Sequence, residues 1–175
     1  MACDLSLLVP EFRERVEKLL EGFAGGGPVL RPYYGLRTPQ EQARIWRQTR
    51  SREEVGRAMD DLRKAGAPTI ADILWSVGPQ PTNGAKGHLT HQLPMASWHQ
   101  HGEALDCFVL RQGQAVWDGN DPSYKVYAEA ARKFGCDAGY FWRMKDSVHI
   151  QLRTASVMAV HRSWAELDRL ARKFV

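Results

Sequence analysis

The chain has 175 residues, 43% hydrophobic and 25% charged, with a formal net charge of +4. That length and composition suit one globular domain, residues 1–175, with a real core, and they exclude a chain dominated by disorder. Basic residues are interspersed with acidic ones, as in Arg50-Ser51-Arg52-Glu53-Glu54, so the charge reads as a solvated surface rather than a patch for an anionic polymer, with no nucleic-acid partner expected.

In chain order, Phe12, Val16, Leu19, Leu20 and Phe23 fall on one helical face after Pro10, and Gly25-Gly26-Gly27-Pro28 stops that helix. Val29 to Leu36 reads as a short strand. Thr38-Pro39-Gln40-Glu41 combines a capping box with proline at the first helical position, so a helix starts after Arg37 and runs to about Gln48. Arg37 therefore stands at a strand-to-helix junction. Ser51-Arg52-Glu53-Glu54 caps another helix, with Val55, Met59 and Leu62 inside and Gly66-Ala67-Pro68 at its end, and Thr69 to Val77 reads as one more short helix. From Gly78 to Met95 the chain is rich in Gly, Pro, Asn and Thr, a loop long enough to be functional and expected to rim a cleft.

Glu103 to Leu110 and Gln114 to Trp117 flank Arg111-Gln112-Gly113 as a β-hairpin. Asp121-Pro122 opens a helix whose face is Tyr127, Ala130, Ala131 and Phe134, and Gly135 closes it. Ala138 to Trp142 and Val148 to Leu152 are the last strands, joined by the turn that carries Asp146. Ser163-Trp164-Ala165-Glu166 is a capping box for a terminal helix with Trp164, Leu167, Leu170 and Phe174 inward. The order is that of an α+β fold with a small antiparallel sheet flanked by helices.

Catalytic zinc takes three nitrogen or oxygen ligands from the protein and leaves a position for water. His99, Asp106 and His149 fit that inventory. Gly102 can turn the backbone between the first two, and Ala104, Asp106 and Phe108 alternate along an apolar strand, so that one carboxylate points inward. A buried lone carboxylate is costly, and a cation opposite Asp106 removes the cost. Asp146, three residues before His149, stands where a general base can reach water at the metal without ligating it.

Ser97, His99, Gly102, Ala104 and Asp106, followed by Asp146 and His149, resemble the pattern Ser-x-His-x-x-Gly-x-Ala-x-Asp and Asp-or-Glu-x-x-His of the zinc peptidases that include D-alanyl-D-alanine carboxypeptidases and the L-alanyl-D-glutamate endopeptidases of bacteriophage lysis. Gly35-Leu36-Arg37-Thr38-Pro39-Gln40-Glu41-Gln42 looks like that family's segment carrying an arginine and then a glutamine. Thr82-Asn83 resembles the pair preceding the histidine motif, and Gly139-Tyr140-Phe141-Trp142 resembles the strand before the last histidine. The likeness runs from about Arg31 to Gln151. Ala85 to Ala96, with His88 and His91, stands as an insertion, and Ile150 replaces a common aromatic residue.

The resemblance implies a zinc site on the sheet of a hedgehog-like or D-Ala-D-Ala-peptidase-like fold, with one zinc held by His99, Asp106 and His149. Asp146 is then the acid-base group, Arg37 stabilises charge on the tetrahedral oxygen, and Ser97, Gln42 and Trp142 position substrate. His101 is an alternative to His99 that the family spacing disfavours, and Arg37 has a plainer alternative in pairing with Glu41. Asp146 with Val148 tilts toward an endopeptidase of phage or prophage lysin type that cuts the peptidoglycan stem peptide. Alternatives are a D-alanyl-D-alanine carboxypeptidase or dipeptidase, and a zinc-containing binding domain without turnover, as in the related hedgehog signalling domain. Cys3, Cys107 and Cys136 are odd in number and lack close metal-type spacing, which reads as free thiols. No apolar run suits a signal peptide or a membrane span. The expectation is a monomer made in the cytoplasm that reaches the cell wall after release.

Overall fold

The computed structural model describes residues 3–82 and 88–175. The chain divides into two compact units, one from the chain up to Leu36 with His101–Thr154, the other from Arg37–Gln100 with Ala155–Val175.

In the first unit, helix α1 (Pro10–Ala24) starts on a proline and buries Phe12, Val16 and Leu19, the spacing of one helical face. Five strands follow: β1 (Val29–Tyr34), β2 (Ala104–Arg111), β3 (Gln114–Val116), β4 (Asp137–Ala138) and β5 (His149–Gln151). They form one antiparallel sheet in the order β1-β2-β5-β4, with β3 paired to the end of β2. Pro32 lacks an N–H, and β1 carries it on the sheet's edge, where the register also shifts between Pro32 and Tyr34. Gln112 and Gly113, with φ of 50° and 78°, make the two-residue turn between β2 and β3, where both central positions need positive φ.

Leu105, Cys107 and Val109 of β2 and Ile150 of β5 enter the hydrophobic core with Phe12, Val16 and Leu19 of α1. Helix α5, counted in chain order over Pro122–Lys133, closes that core with Tyr124, Tyr127, Ala128 and Ala131. Alternation then assigns Ala104, Asp106 and Phe108 to the other face of β2. Asp106 is buried as expected, but away from the apolar core rather than in it. The expected strand from Ala138 ends at that residue, because Gly139–Phe141 turn into a 3-10 helix and the Gly139 carbonyl accepts from Trp142 N–H (3.1 Å) and Asp146 N–H (2.9 Å).

The second unit is helical among the described residues: α2 (Pro39–Arg47), α3 (Arg52–Lys64), α4 (Pro68–Ser76), α6 (Val157–His161) and α7 (Trp164–Ala171). Two of the three expected capping boxes form in full. Thr38 and Ser51 accept from the backbone of Glu41 and Glu54, whose carboxylates accept in return from the Thr38 and Ser51 N–H groups. At α7 only half of the box forms: Ser163 accepts from Glu166 N–H, while the Glu166 carboxylate lies 3.2 Å from His161 Nδ1. Helix α4 has no cap of its own. Fully buried Asp168 of α7 supplies one, accepting from Ile70 N–H at 3.0 Å.

The segment Gly78–Met95 holds no helix or strand among its described residues, and its later part is fastened by Gln42, which donates to the Gln92 carbonyl, and Arg50, which donates to that of Thr90. Asn83 and the start of the expected insertion at Ala85 lie outside the described residues. The three cysteines are free thiols. Among the described residues no helix is long and apolar enough to cross a membrane.

Candidate metal centre

In the first unit, β2 and β5 pair so that Asp106 stands opposite His149 and Ala104 opposite Gln151. Opposed residues share a face, and His149 Nδ1 lies 3.0 Å from Asp106 Oδ1. Both residues are 8% exposed. A carboxylate and an imidazole held so deeply together need a shared cation, either a proton or a metal. Two ligand atoms on one tetrahedral zinc at ordinary bond lengths stand about 3.3 Å apart, so the pair, at 3.0 Å, would take one zinc after a small separation of the two atoms. Without metal, burial alone pulls the His149 imidazolium down. The Asp106 carboxylate outweighs that, helped by Asp146 and Gln151, and the ring's pKa rises above its ordinary value.

Asp146 lies on an exposed turn that is tied down at several points. Its N–H donates to the Gly139 carbonyl, its own carbonyl accepts from His149 N–H at 3.3 Å, and the buried Ser147 hydroxyl donates to the Gly119 carbonyl at 2.7 Å. Gly139 is required for this fit: a Cβ there would meet Asp146 O at 2.5 Å, Asp146 Cβ at 3.0 Å and His149 Cβ at 3.3 Å. Asp146 is thus open to solvent while close enough for its charge to act on His149. The Trp142 ring lies 5.1 Å from the His149 ring, and its indole N–H donates to Asp137 at 2.9 Å. Trp142 is half-buried beside the imidazole.

Gly102 has φ of 68°, and a Cβ there would meet the Leu7 carbonyl oxygen at 3.0 Å, so glycine is needed both for the turn and for the approach of the N-terminal segment, where Val9 N–H donates to the Gly102 carbonyl.

The second unit holds His99 in a 3-10 turn that begins at Trp98. His99 is 3% exposed, its N–H faces the Ser97 hydroxyl at 3.4 Å, and its carbonyl accepts from Arg37 N–H at 3.0 Å. Ser97 therefore shapes the turn. The Arg37 guanidinium donates to Gln42 Oε1 at 2.8 Å, and the Gln100 amide donates to the same oxygen at 3.0 Å. Gln42 is fully buried and binds Arg37, Gln100 and the Gln92 carbonyl at once. The alternative pairing of Arg37 with Glu41 yields to this arrangement, since Glu41 is engaged in the α2 capping box. Trp98 is 4% exposed with its indole N–H on the Ala155 carbonyl.

Two residues escaped the sequence reading. Gln151 accepts at His149 Nε2, 3.1 Å away, and Glu103 clasps Arg153 with Nε–Oε2 of 2.5 Å and Nη2–Oε1 of 3.2 Å. The signal for Gln151 was its period-two spacing from His149.

No family model matches the chain, and no curated protein matches it. Among solved structures, the chain is similar to the L-Ala D-Glu endopeptidase ChiX of Serratia marcescens, at 19% identity over 85% of this chain and 83% of that one, with a TM-score of 0.47. It is also similar to a variant of the vancomycin-resistance D,D-pentapeptidase VanY from a VanB-type cassette in complex with Zn(II), at 14% identity over 93% and 82%, with a TM-score of 0.49.

Proposed function

We propose that this chain is a zinc-dependent hydrolase of peptidoglycan stem peptides, an L-alanyl-D-glutamate endopeptidase of phage or prophage lysin type. The observation that carries the reading is the buried Asp106–His149 pair, opposed on adjacent strands with ligand atoms 3.0 Å apart. His99 completes the set: it is buried, offers one imidazole nitrogen, and stands seven residues before Asp106 with Gly102 turning the chain between them.

Bound zinc supplies Lewis acidity that brings the pKa of water to about 7. Asp146, exposed on its anchored turn, takes the proton of the attacking water and returns it to the leaving amine nitrogen. Arg37, aimed by Gln42 and Gln100, offsets the charge that develops on the peptide carbonyl oxygen. Ser97 holds the turn of His99, and Trp142 walls the cleft beside His149. The choice of endopeptidase rests on the resemblance, in which Asp at the base position and Val148 match the phage-type enzymes. The protein acts as a monomer on the wall after its release from the cytoplasm.

Mass spectrometry of purified stem peptides incubated with the zinc-loaded protein tests the reading. Zinc-dependent scission between L-Ala and D-Glu is the expected result. Release of terminal D-Ala would move the assignment to a carboxypeptidase, and intact peptide with stoichiometric zinc would leave a binding domain.

A further inference from the structure

Gln151 lies two residues after His149 on β5, on the same face of the sheet, and is 7% exposed. Its amide N–H donates to the Arg153 carbonyl, which orients the group and turns Oε1 toward His149 Nε2 at 3.1 Å. A carbonyl oxygen only accepts, so Nε2 carries the hydrogen. The neutral ring then presents its Nδ1 lone pair to Asp106 Oδ1 across 3.0 Å. Two acceptors at that distance repel unless a cation joins them.

The support behind Gln151 is itself fixed. Arg153 is clasped by Glu103 through two nitrogens, and Leu152 N–H donates to the Glu103 carbonyl at 2.9 Å. The acceptor that orients the Gln151 amide is therefore tied back to the start of β2, the strand that carries Asp106.

We propose that Gln151 is a positioning residue for the metal: it holds His149 in the Nε2–H tautomer and so aims the Nδ1 lone pair, beside the Asp106 carboxylate, at the cation. The inference rests on the reading of His149 as a zinc ligand. A partner that accepts from the far N–H of a ligating histidine fixes both tautomer and ring angle.

The test compares the parent protein with Gln151→Met, which keeps length and volume but has no oxygen acceptor, and Gln151→Glu, which keeps the acceptor. Zinc affinity is read by competition with a chromophoric chelator, and thermal midpoints are taken on the metal-free forms. Loss of roughly 10–100-fold in affinity is expected for Gln151→Met, with parent-like or tighter binding for Gln151→Glu. The 15N–1H spectrum of the zinc-loaded parent should show His149 protonated at Nε2 and bare at Nδ1. Equal affinity in parent and Gln151→Met, or a proton on Nδ1 in the loaded parent, overturns the inference. Should Gln151→Met fail to fold, the parent's spectrum decides. A parent that binds zinc and cleaves while Gln151→Met binds equally well removes only this inference. A parent that binds no zinc removes the hydrolase reading and this inference with it.

Discussion

Gly139→Ala isolates how much depends on the placement of the Asp146 turn. The added Cβ would stand 2.5 Å from the Asp146 carbonyl oxygen and 3.0 Å from its Cβ, whereas ordinary contact begins near 3.4 Å. Both neighbours belong to the turn that bears the proposed base, so relief of the clash requires a shift of about 0.9 Å in that turn. Misplacement of a reacting group by about 1 Å costs on the order of 10²-fold in rate. Overpacking costs about 1–3 kcal/mol, which at about 2–4 °C per kcal/mol for a chain of this size lowers the thermal midpoint by roughly 2–12 °C. His149 Cβ, at 3.3 Å, is crowded less, so zinc stoichiometry is expected to survive while kcat/KM on stem peptide falls. Gly25→Ala is the control, since a Cβ there meets nothing within 4 Å and its φ is −87°. A Gly139→Ala protein that folds and keeps parent kcat/KM would falsify the argument that the base acts from this anchored position.

Asp146→Ala should keep one zinc per chain and lose about 10²- to 10⁴-fold in kcat; loss of the metal in that variant, measured by elemental analysis, would show that Asp146 is a ligand instead. Asp168→Ala leaves the buried Ile70 N–H without its acceptor and should cost about 1–3 kcal/mol in urea unfolding, and a change below about 0.5 kcal/mol would sink the capping role. The Arg111 guanidinium, with the Ser123 backbone and hydroxyl, holds the Asp121 carboxyl at about 2, below its ordinary 3.8. A depressed folded-state pKa stabilises above the unfolded value, so this contribution is complete above pH 3.8 and disappears as pH falls through 2. In urea titrations from pH 5 to pH 2, the stability advantage over Asp121→Asn should shrink across that window, and a constant gap would contradict the pairing.

Features written in local residue order were legible from the sequence. The caps of α2 and α3 need only a hydroxyl and a glutamate three residues on, and both boxes formed at Thr38–Glu41 and Ser51–Glu54. The β2–β3 turn needs two adjacent residues able to take positive φ, and Gln112-Gly113 supplied them. What could not be read depends on partners distant in sequence. The N-terminus of α4 looks uncapped because its acceptor, Asp168, lies 98 residues away, and the third capping box opened when His161, in a short helix that its sequence did not announce, drew off Glu166.

The same distinction governs the candidate site. Period two along β2 allows two assignments of faces, and the apolar face was decided by α1 and α5, which take Leu105, Cys107 and Val109 and leave Asp106 on the other side with His149. That outcome favours chemistry: a carboxylate inside the apolar core would be pressed toward its neutral form by desolvation, whereas on the opposite face it keeps the His149 imidazole 3.0 Å away. Opposition of Asp106 and His149 in turn places Gln151 opposite Ala104, and the small alanine leaves the glutamine amide to bridge the imidazole and the Arg153 carbonyl. The order of the proposed ligands is therefore a property of the sequence, while the opposition of Asp106 and His149 is set by strand register.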